Sequence, residues 1–424
     1  MKNYGKQCIY LILHISYLIY LVISNFIFNF AKYYKVTPFP NILTTFIDMS
    51  LDNNSPNNLP EGFSENHAKI VAKASRKRTI LLVVFVSLAI LISSFSFYAY
   101  QVANSPNFCF GKKPVYLYLP QGATFQTVLD SLKKNDIIYN VTSFAFISKI
   151  LKYQQHVKPG RYLIETNMNN IKLVRNLRAG LQAPQKVIFN NIRLKEDLAD
   201  RLCPQVTISR DDLLKALNDD KYTQKYGFTS ANIMAMFLPN TYDVYWNVSL
   251  DGFFEKMHKE YQKFWTADRL AKAKAINLTP IEVAVLAAIV DAETVKIDEK
   301  PRVASVYMNR LAKKDLLQAD PTVIFATGDF TIKRVLNVHL ATDSPYNTYK
   351  YKGLPPGVIR LPTISGLDAV LNHEKTDFYF FCAKEDFSGY HNFAVKLSEH
   401  NQNARRYQAA LNVLLAKKRA EGKL

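Results

Sequence analysis

The chain has 424 residues, 48% hydrophobic and 21% charged: enough apolar material for two or three folded units beside membrane segments, and too much for a disordered protein. Its 54 Lys and Arg against 35 Asp and Glu give a formal charge of +19, which ordinarily points to nucleic acid. Here the excess is spread over a pre-membrane flank, mixed-charge helices and the tail 417–423 without a basic groove motif, so it reads as attraction to anionic surfaces and excludes nucleic acid as the partner.

Residues 7–31 lack Lys, Arg, Asp and Glu and admit two accounts. Either they form an extra membrane span, with seven Lys and Arg behind it against two before it placing the following loop inside, or 1–48 is an upstream extension and Met49 the true start. The second is favoured, because 50–68 is rich in Asn, Ser and Pro and 49–78 reads as a disordered cytoplasmic tail. Residues 79–100 are an uncharged run of 22, long enough to cross a bilayer as a helix rising ~1.5 Å per residue. Lys69, Lys73, Arg76, Lys77 and Arg78 precede it, so that flank stays in the cytoplasm and everything after Tyr100 is exported. No small-residue cleavage site follows closely, which favours a retained anchor. Cys109, Cys203 and Cys382 are the exported cysteines, an odd number far apart that implies no disulfide framework, although one pair stays open.

Beyond the anchor, 115–119 alternates like a strand and Gly122-Ala-Thr-Phe125 opens a helix through Val128, Leu129 and Leu132. Val157-Lys-Pro-Gly-Arg-Tyr162 turns into a second strand, and 170–181 is helical, giving a first module over 113–185. Residues 187–192 form a strand leading into a helix over 194–202, the opening of a larger unit, 186–415. Residues 250–275 read as one charged amphipathic helix that covers the core. Thr279-Pro280-Ile281-Glu282 is a capping-box start with Pro at the first helical position, and 281–290 is apolar nearly throughout. A helix apolar on all sides is buried, so Asp291 and Glu293 emerge at its far end, where burial and the helix dipole push carboxyl groups toward the protonated form. The bland alternative is a carboxylate that caps a turn or pairs with Arg302 or Lys300.

Downstream lie Arg302-Val-Ala-Ser-Val-Tyr-Met-Asn-Arg-Leu311, Leu317-Gln-Ala-Asp-Pro-Thr-Val323, Ser344-Pro-Tyr-Asn-Thr-Tyr349, Gly353-Leu-Pro-Pro-Gly357, His391-Asn-Phe393 and Glu399-His-Asn401. In this order, over roughly 113–415, the motifs resemble those of the endolytic murein (peptidoglycan) lytic transglycosylases, the YceG-like family. The resemblance implies an α+β protein: an N-terminal membrane anchor, a small LysM-like α/β module at 113–185, and an α+β YceG-like catalytic domain at 186–415. The family's catalytic acid is the Glu directly before Thr in Ile-Val-Glu-Lys-Glu-Thr, which falls on Glu293. Asp291 stands where that stretch has its earlier Glu, Ala292 where it has Lys, Asn240 where Phe-Leu-Pro-Asp-Thr-Tyr has Asp, and Asn392 where Thr follows the His.

One Glu suffices for the implied chemistry: it protonates the leaving oxygen, then takes a proton from the sugar's own 6-hydroxyl as that group attacks the anomeric carbon. The product is a 1,6-anhydro-N-acetylmuramic acid end, formed without metal or cofactor. Around this acid, Asn309, Arg310, Gln318, Asp320, Thr322, Ser344, Tyr346, Asn347, Tyr349 and His391 are the candidate sugar contacts. For several of them a structural reading stands alongside. Arg310 shares a helix face with Val303 and Val306, and neutralises a lactyl carboxylate, orients Glu293 or sits in a buried ion pair. Asp320-Pro-Thr322 reads as a helix start with Asp as cap. Gly353-Leu-Pro-Pro-Gly357 reads as a fixed loop walling the cleft, and His391, near Asn347 or Tyr346, contacts sugar, tunes the acid or is structural. His373, His391 and His400 lack metal-ligand spacing, so no metal site is expected. Two rivals remain: a muramidase-type hydrolase with Asp320 as second carboxylate, and a non-catalytic wall-binding scaffold. The resemblance implies nascent peptidoglycan strands as substrate, penicillin-binding proteins (the glycan polymerases) as partners, and a single-pass bacterial inner-membrane location with the catalytic domain outside.

Overall fold

The computed structural model describes residues 65–109, 111–190 and 192–421, with side chains from residue 77 onward. The expectations for 1–48, for the start at Met49 and for the tail up to residue 64 lie outside the described residues. Helix α1 (Glu65–Asn104) takes in the uncharged run and continues back through the basic flank. Among the described residues, Lys77–Asn104 is the one helix long and apolar enough on its own to cross a membrane. Leu81, Phe85, Leu91 and Phe95 on it are each about two-thirds or more exposed. The chain divides into two compact units at Ser93 and Ser94, and the remaining elements belong to the second.

The first group of elements is β1 (Pro106–Phe108), β2 (Val115–Leu119), α2 (Phe125–Lys134), α3 (Val141–Ile150), β3 (Gly160–Ile164), β4 (Met168–Asn169) and α4 (Asn170–Ala179). β2 and β3 pair antiparallel from Val115 opposite Ile164 to Leu119 opposite Gly160, and β1 pairs with β4. Short polar side chains start the helices: Thr124, Asn140 and Asn169 each accept a backbone N–H of their helix's first turn. The alternation of β2 turns Leu117 and Leu119 into a core with Val128, Leu132, Phe144, Tyr162 and Leu173.

The larger group begins with β5 (Gln185–Ile188), α5 (Lys195–Leu202), α6 (Arg210–Asn218), α7 (Asp220–Thr223) and β6 (Thr241–Val244). It continues through α8 (Leu250–Phe264), α9 (Ala267–Ala275), α10 (Pro280–Glu293), α11 (Lys300–Ala312), α12 (Asp320–Thr327) and α13 (Asn337–Leu340). It closes with α14 (Ile364–Leu371), β7 (Phe380–Ala383), β8 (His391–Ala394) and α15 (Leu397–Ala420). β5 pairs with β6 and β7 with β8, both antiparallel, so helices and two-stranded ribbons mix in an α+β architecture. The core is built around α10, whose side chains from Val283 to Asp291 are all buried against α11, α14 and their neighbours.

Two sequence expectations change. The single helix expected over 250–275 is two, because Trp265 leaves helical geometry to bury its ring and Thr266 caps α9 by accepting the Arg269 N–H. Asp320 is not the cap of α12: Ala319 holds that position, and the Asp320 carboxylate instead accepts the Tyr349 hydroxyl at 2.6 Å. Cys109, Cys203 and Cys382 are free thiols.

Candidate active site

The start of α10 is fixed by local chemistry. Thr279 Oγ1 accepts the Glu282 N–H at 3.2 Å, Glu282 Oε2 accepts the Thr279 N–H at 2.7 Å, and Pro280 fills the first turn. This delivers the far end of the helix, and with it two carboxylates that point different ways, to a defined place.

Asp291 faces inward. Its Oδ1 lies 2.6 Å from Lys300 Nζ, both side chains are more than nine-tenths buried, and Thr363 donates from both its N–H and its hydroxyl. Lys300 also donates to Thr363 and Ser365. The pair is thus fully hydrogen-bonded, which is what a buried ion pair requires. Gly366 is needed here because a Cβ would stand 2.5 Å from Asp291 Oδ1. Lys300 is thus the partner of Asp291, whereas Arg302 pairs with Glu374 at 2.9 Å.

Glu293 faces elsewhere, and among the described residues no Lys, Arg or His forms an ion pair with it. Tyr307 on α11, 1% exposed, donates its hydroxyl to Glu293 Oε1 at 2.7 Å. Burial pushes the Glu293 carboxyl up to about 7, with the charge of Asp320 adding to the rise and the Tyr307 bond and Arg310 opposing it. Tyr307 is backed edge-on by Phe381 of β7 at 5.9 Å. Phe381 in turn meets the His391 ring at 5.3 Å.

Glu299 ties this wall together. It is buried, and it accepts the His391 N–H at 2.7 Å, His391 Nδ1 at 2.8 Å and the hydroxyl of Thr294, next to Glu293, at 3.0 Å. Glu299 thus holds His391 by both its main-chain N–H and its ring Nδ1.

The other candidates fall into two groups. Asp320 is exposed at the first turn of α12, bonded by the half-buried Tyr349, and Gln318 two residues earlier is exposed with a left-handed backbone at φ 51°. A non-glycine residue in that region carries strain of order 1 kcal/mol and is held there by the Gln318 N–H to the Thr348 carbonyl at 3.1 Å. Tyr346 packs on Phe325 at 4.7 Å, and its hydroxyl lies where a Cβ on Gly357 would reach to 2.9 Å, so the 353–357 loop passes close to it.

The remainder are turned into the scaffold. Asn309 donates to the carbonyls of Thr376 and Phe378, both at 2.8 Å. Arg310, 8% exposed, donates to the carbonyls of Leu317 and Tyr379, forms no ion pair among the described residues, and ties the chain before α12 to the start of β7 while lending Glu293 its charge. Thr322 bonds Ala319 and Thr348, the buried Asn347 bonds the carbonyls of Leu340 and Thr342, and the Ser344 hydroxyl closes a turn by accepting the Tyr346 N–H. Tyr307 and Glu299 were not singled out in the sequence. The signal for Tyr307 was available, since a tyrosine four residues from Val303 on a buried helix face must find a partner for its hydroxyl. Among the described residues, no three His, Cys, Asp or Glu side chains gather as metal ligands.

Comparison with known proteins gives this geometry its family. A Bacillus subtilis protein called an endolytic murein transglycosylase is 27% identical over 71% of this chain and 87% of its own length. A Streptococcus pneumoniae protein of the same name is 23% identical over 74% of this chain, and the match spans 62% of that protein. Among solved structures, a YceG-like protein from Listeria monocytogenes is 26% identical, covers 68% of this chain and 98% of its own, and superposes with a TM-score of 0.46. The model of the YceG-like family matches residues 117–406, well over half of the sequence, and on that match the chain belongs to the YceG-like family.

Proposed function

We propose that this protein is an endolytic peptidoglycan lytic transglycosylase that cuts glycan strands between N-acetylmuramic acid and N-acetylglucosamine, with Glu293 as general acid and then base. The observation that carries the reading is a single carboxyl, raised to about 7 by burial and held by one tyrosine, in a chain of this family. A carboxyl near that value is protonated in a large fraction of molecules at neutral pH and still accepts a proton back, which the two halves of the reaction require. Tyr307 occupies Oε1, so Oε2 is the oxygen left to carry the proton. In the first step that proton passes to the glycosidic oxygen as the C1–O bond breaks. In the second, Glu293 takes the proton of the sugar's 6-hydroxyl as that oxygen bonds to C1, closing the 1,6-anhydro ring without water.

Asp320, Gln318, Tyr346 and Tyr349 are the residues best arranged to meet sugar on the side of Asp320, and Asn309, Arg310, Thr322, Asn347 and Ser344 support them from behind. Residues 113–185 act as a LysM-like module and the helix Lys77–Asn104 as a single-pass anchor, with the catalytic part outside the inner membrane, near the penicillin-binding proteins that make the strands. The charge of Asp320 beside Glu293 keeps the two-carboxylate hydrolase as the second reading. The test is digestion of purified strands by the full chain and by Glu293→Gln: the variant is expected to be slower by roughly 10²–10⁴-fold, the contribution of a positioned acid and base, and an equal rate would remove Glu293 from the chemistry.

A further inference from the structure

We infer that Glu299 is a positioning residue for the acid: a buried carboxylate that fixes the seat of Glu293 by two routes, one through its chain neighbour Thr294 and one through the rings behind Tyr307. The inference rests on the reading of Glu293 as the acid of a glycan-cutting enzyme.

Glu293 is the last residue of α10, and the end of a helix keeps its geometry only where something outside the helix holds it. The chain that follows supplies no apolar anchor: Val295 and Ile297, in the link 294–299 to α11, are 84% and 68% exposed. What holds the link is polar, and it comes from two consecutive residues at the start of α11. Lys300 reaches back to Asp291, two positions before the acid, and Glu299 reaches back to Thr294, one position after it. The acid is bracketed. Thr294 is itself buried, and its hydroxyl both donates to Glu299 and accepts the Lys296 N–H at 3.1 Å, so its side chain is fixed.

The second route runs through β8. Glu299 accepts the main-chain N–H and the ring Nδ1 of His391, so the strand starts where this carboxylate places it. The His391 ring stands edge-on to Phe381, and Phe381 edge-on to Tyr307, whose hydroxyl holds Glu293 Oε1. One carboxylate thus sets both the main chain beside the acid and the ring that bonds its carboxyl. Burying a carboxylate costs free energy even when it is fully bonded, and a short exposed link does not need one in order to fold. The precision demanded of an acid does explain it, since a displacement of about 1 Å costs on the order of 10²-fold in rate.

Glu299→Ala removes all three bonds together and so mixes positioning with folding. Thr294→Val removes one and leaves Glu299 its two donors from His391, while Thr294→Ser keeps the hydroxyl. Each is compared with the unmodified full chain in detergent micelles. Two quantities are read: the kinetics of strand cleavage, and the titration of the Glu293 carboxyl by NMR of isotope-labelled glutamate, assigned by its loss in Glu293→Gln. Thr294→Val is expected to lower kcat roughly ten-fold with KM within about two-fold, and Thr294→Ser to stay within about three-fold of the unmodified chain. Burial is the largest cause of the raised Glu293 value, so an acid released from its seat is expected to titrate below about 7 in Thr294→Val and not in Thr294→Ser. Tyr307, Asp320 and Arg310, the other groups that act on it, are unchanged in both. An unmoved titration in Thr294→Val, or a loss of kcat that Thr294→Ser shares, overturns the positioning role and leaves the activity standing. If the unmodified chain cuts no strand, the proposed activity fails and the titration alone decides: a midpoint that falls with Val and holds with Ser sustains the role of Glu299.

Discussion

At the scale of single residues, the Glu293 carboxyl links folding to pH. Its folded value near 7 lies above the ordinary 4.5, so the folded state holds the proton more tightly than the unfolded chain. The stability from that proton is complete below pH ~4.5 and is lost as the pH rises through about 7. Glu293→Gln removes the titration and keeps an acceptor for Tyr307. It is expected to raise unfolding free energy at pH 8 by about 1–3 kcal/mol, allowing for partial exposure, and to change it little at pH 4. Chemical denaturation at the two pH values checks this.

With Glu293 as the proposed acid, the same proton is expected to set the basic limb of kcat/KM near pH 7, and two neighbours are expected to move it in opposite directions. The Tyr307 bond lowers the Glu293 value, so Tyr307→Phe is expected to shift the limb upward as well as slow turnover. The charge of Asp320 raises it, so Asp320→Asn, which can still accept the Tyr349 hydroxyl, is expected to shift the limb downward. A pH–rate profile in which both variants move the same way would contradict these roles.

At the scale of elements, what could be read in the sequence was what neighbouring residues decide. The capping box of α10 and its all-apolar run lie within fifteen residues and predict a buried helix with two carboxylates at its end. The opposite facing of Asp291 and Glu293 follows from their spacing, and the Lys300 partner lies nine positions on. The rest depends on chain that arrives much later. Asn309 and Arg310 look like solvent-facing polar groups until residues 376–379 bring carbonyls to them, and Tyr307 finds Glu293 only once α11 packs on α10. The break at Trp265 is not legible in charge or periodicity, which run on across it, whereas the buried indole and the Thr266 cap interrupt the helix. For the Asp291–Lys300 pair, Lys300→Met would strand a buried carboxylate and is expected to cost about 3–5 kcal/mol, most of it recovered by Asp291→Asn in the same chain. Urea unfolding of the single and double variants measures both terms, and additive losses would mean that the two residues are not coupled.

At the scale of the whole molecule, one apolar helix, a small module and a larger α+β domain follow one another along the chain, and belonging to the YceG-like family gives that order a purpose at the cell wall. The exposed apolar side chains of Lys77–Asn104 are expected to keep the full chain in the membrane fraction through an alkaline carbonate wash, and recovery in the soluble fraction would contradict the anchor. Mass spectrometry of the new ends made when the full chain digests purified glycan strands, beside a Glu293→Gln control, separates a transglycosylase from a hydrolase. Anhydro ends that are absent with the variant are the predicted result. Reducing ends heavier by one water would contradict it, assigning the cut to a hydrolase in which Asp320 or another carboxylate directs water to the sugar.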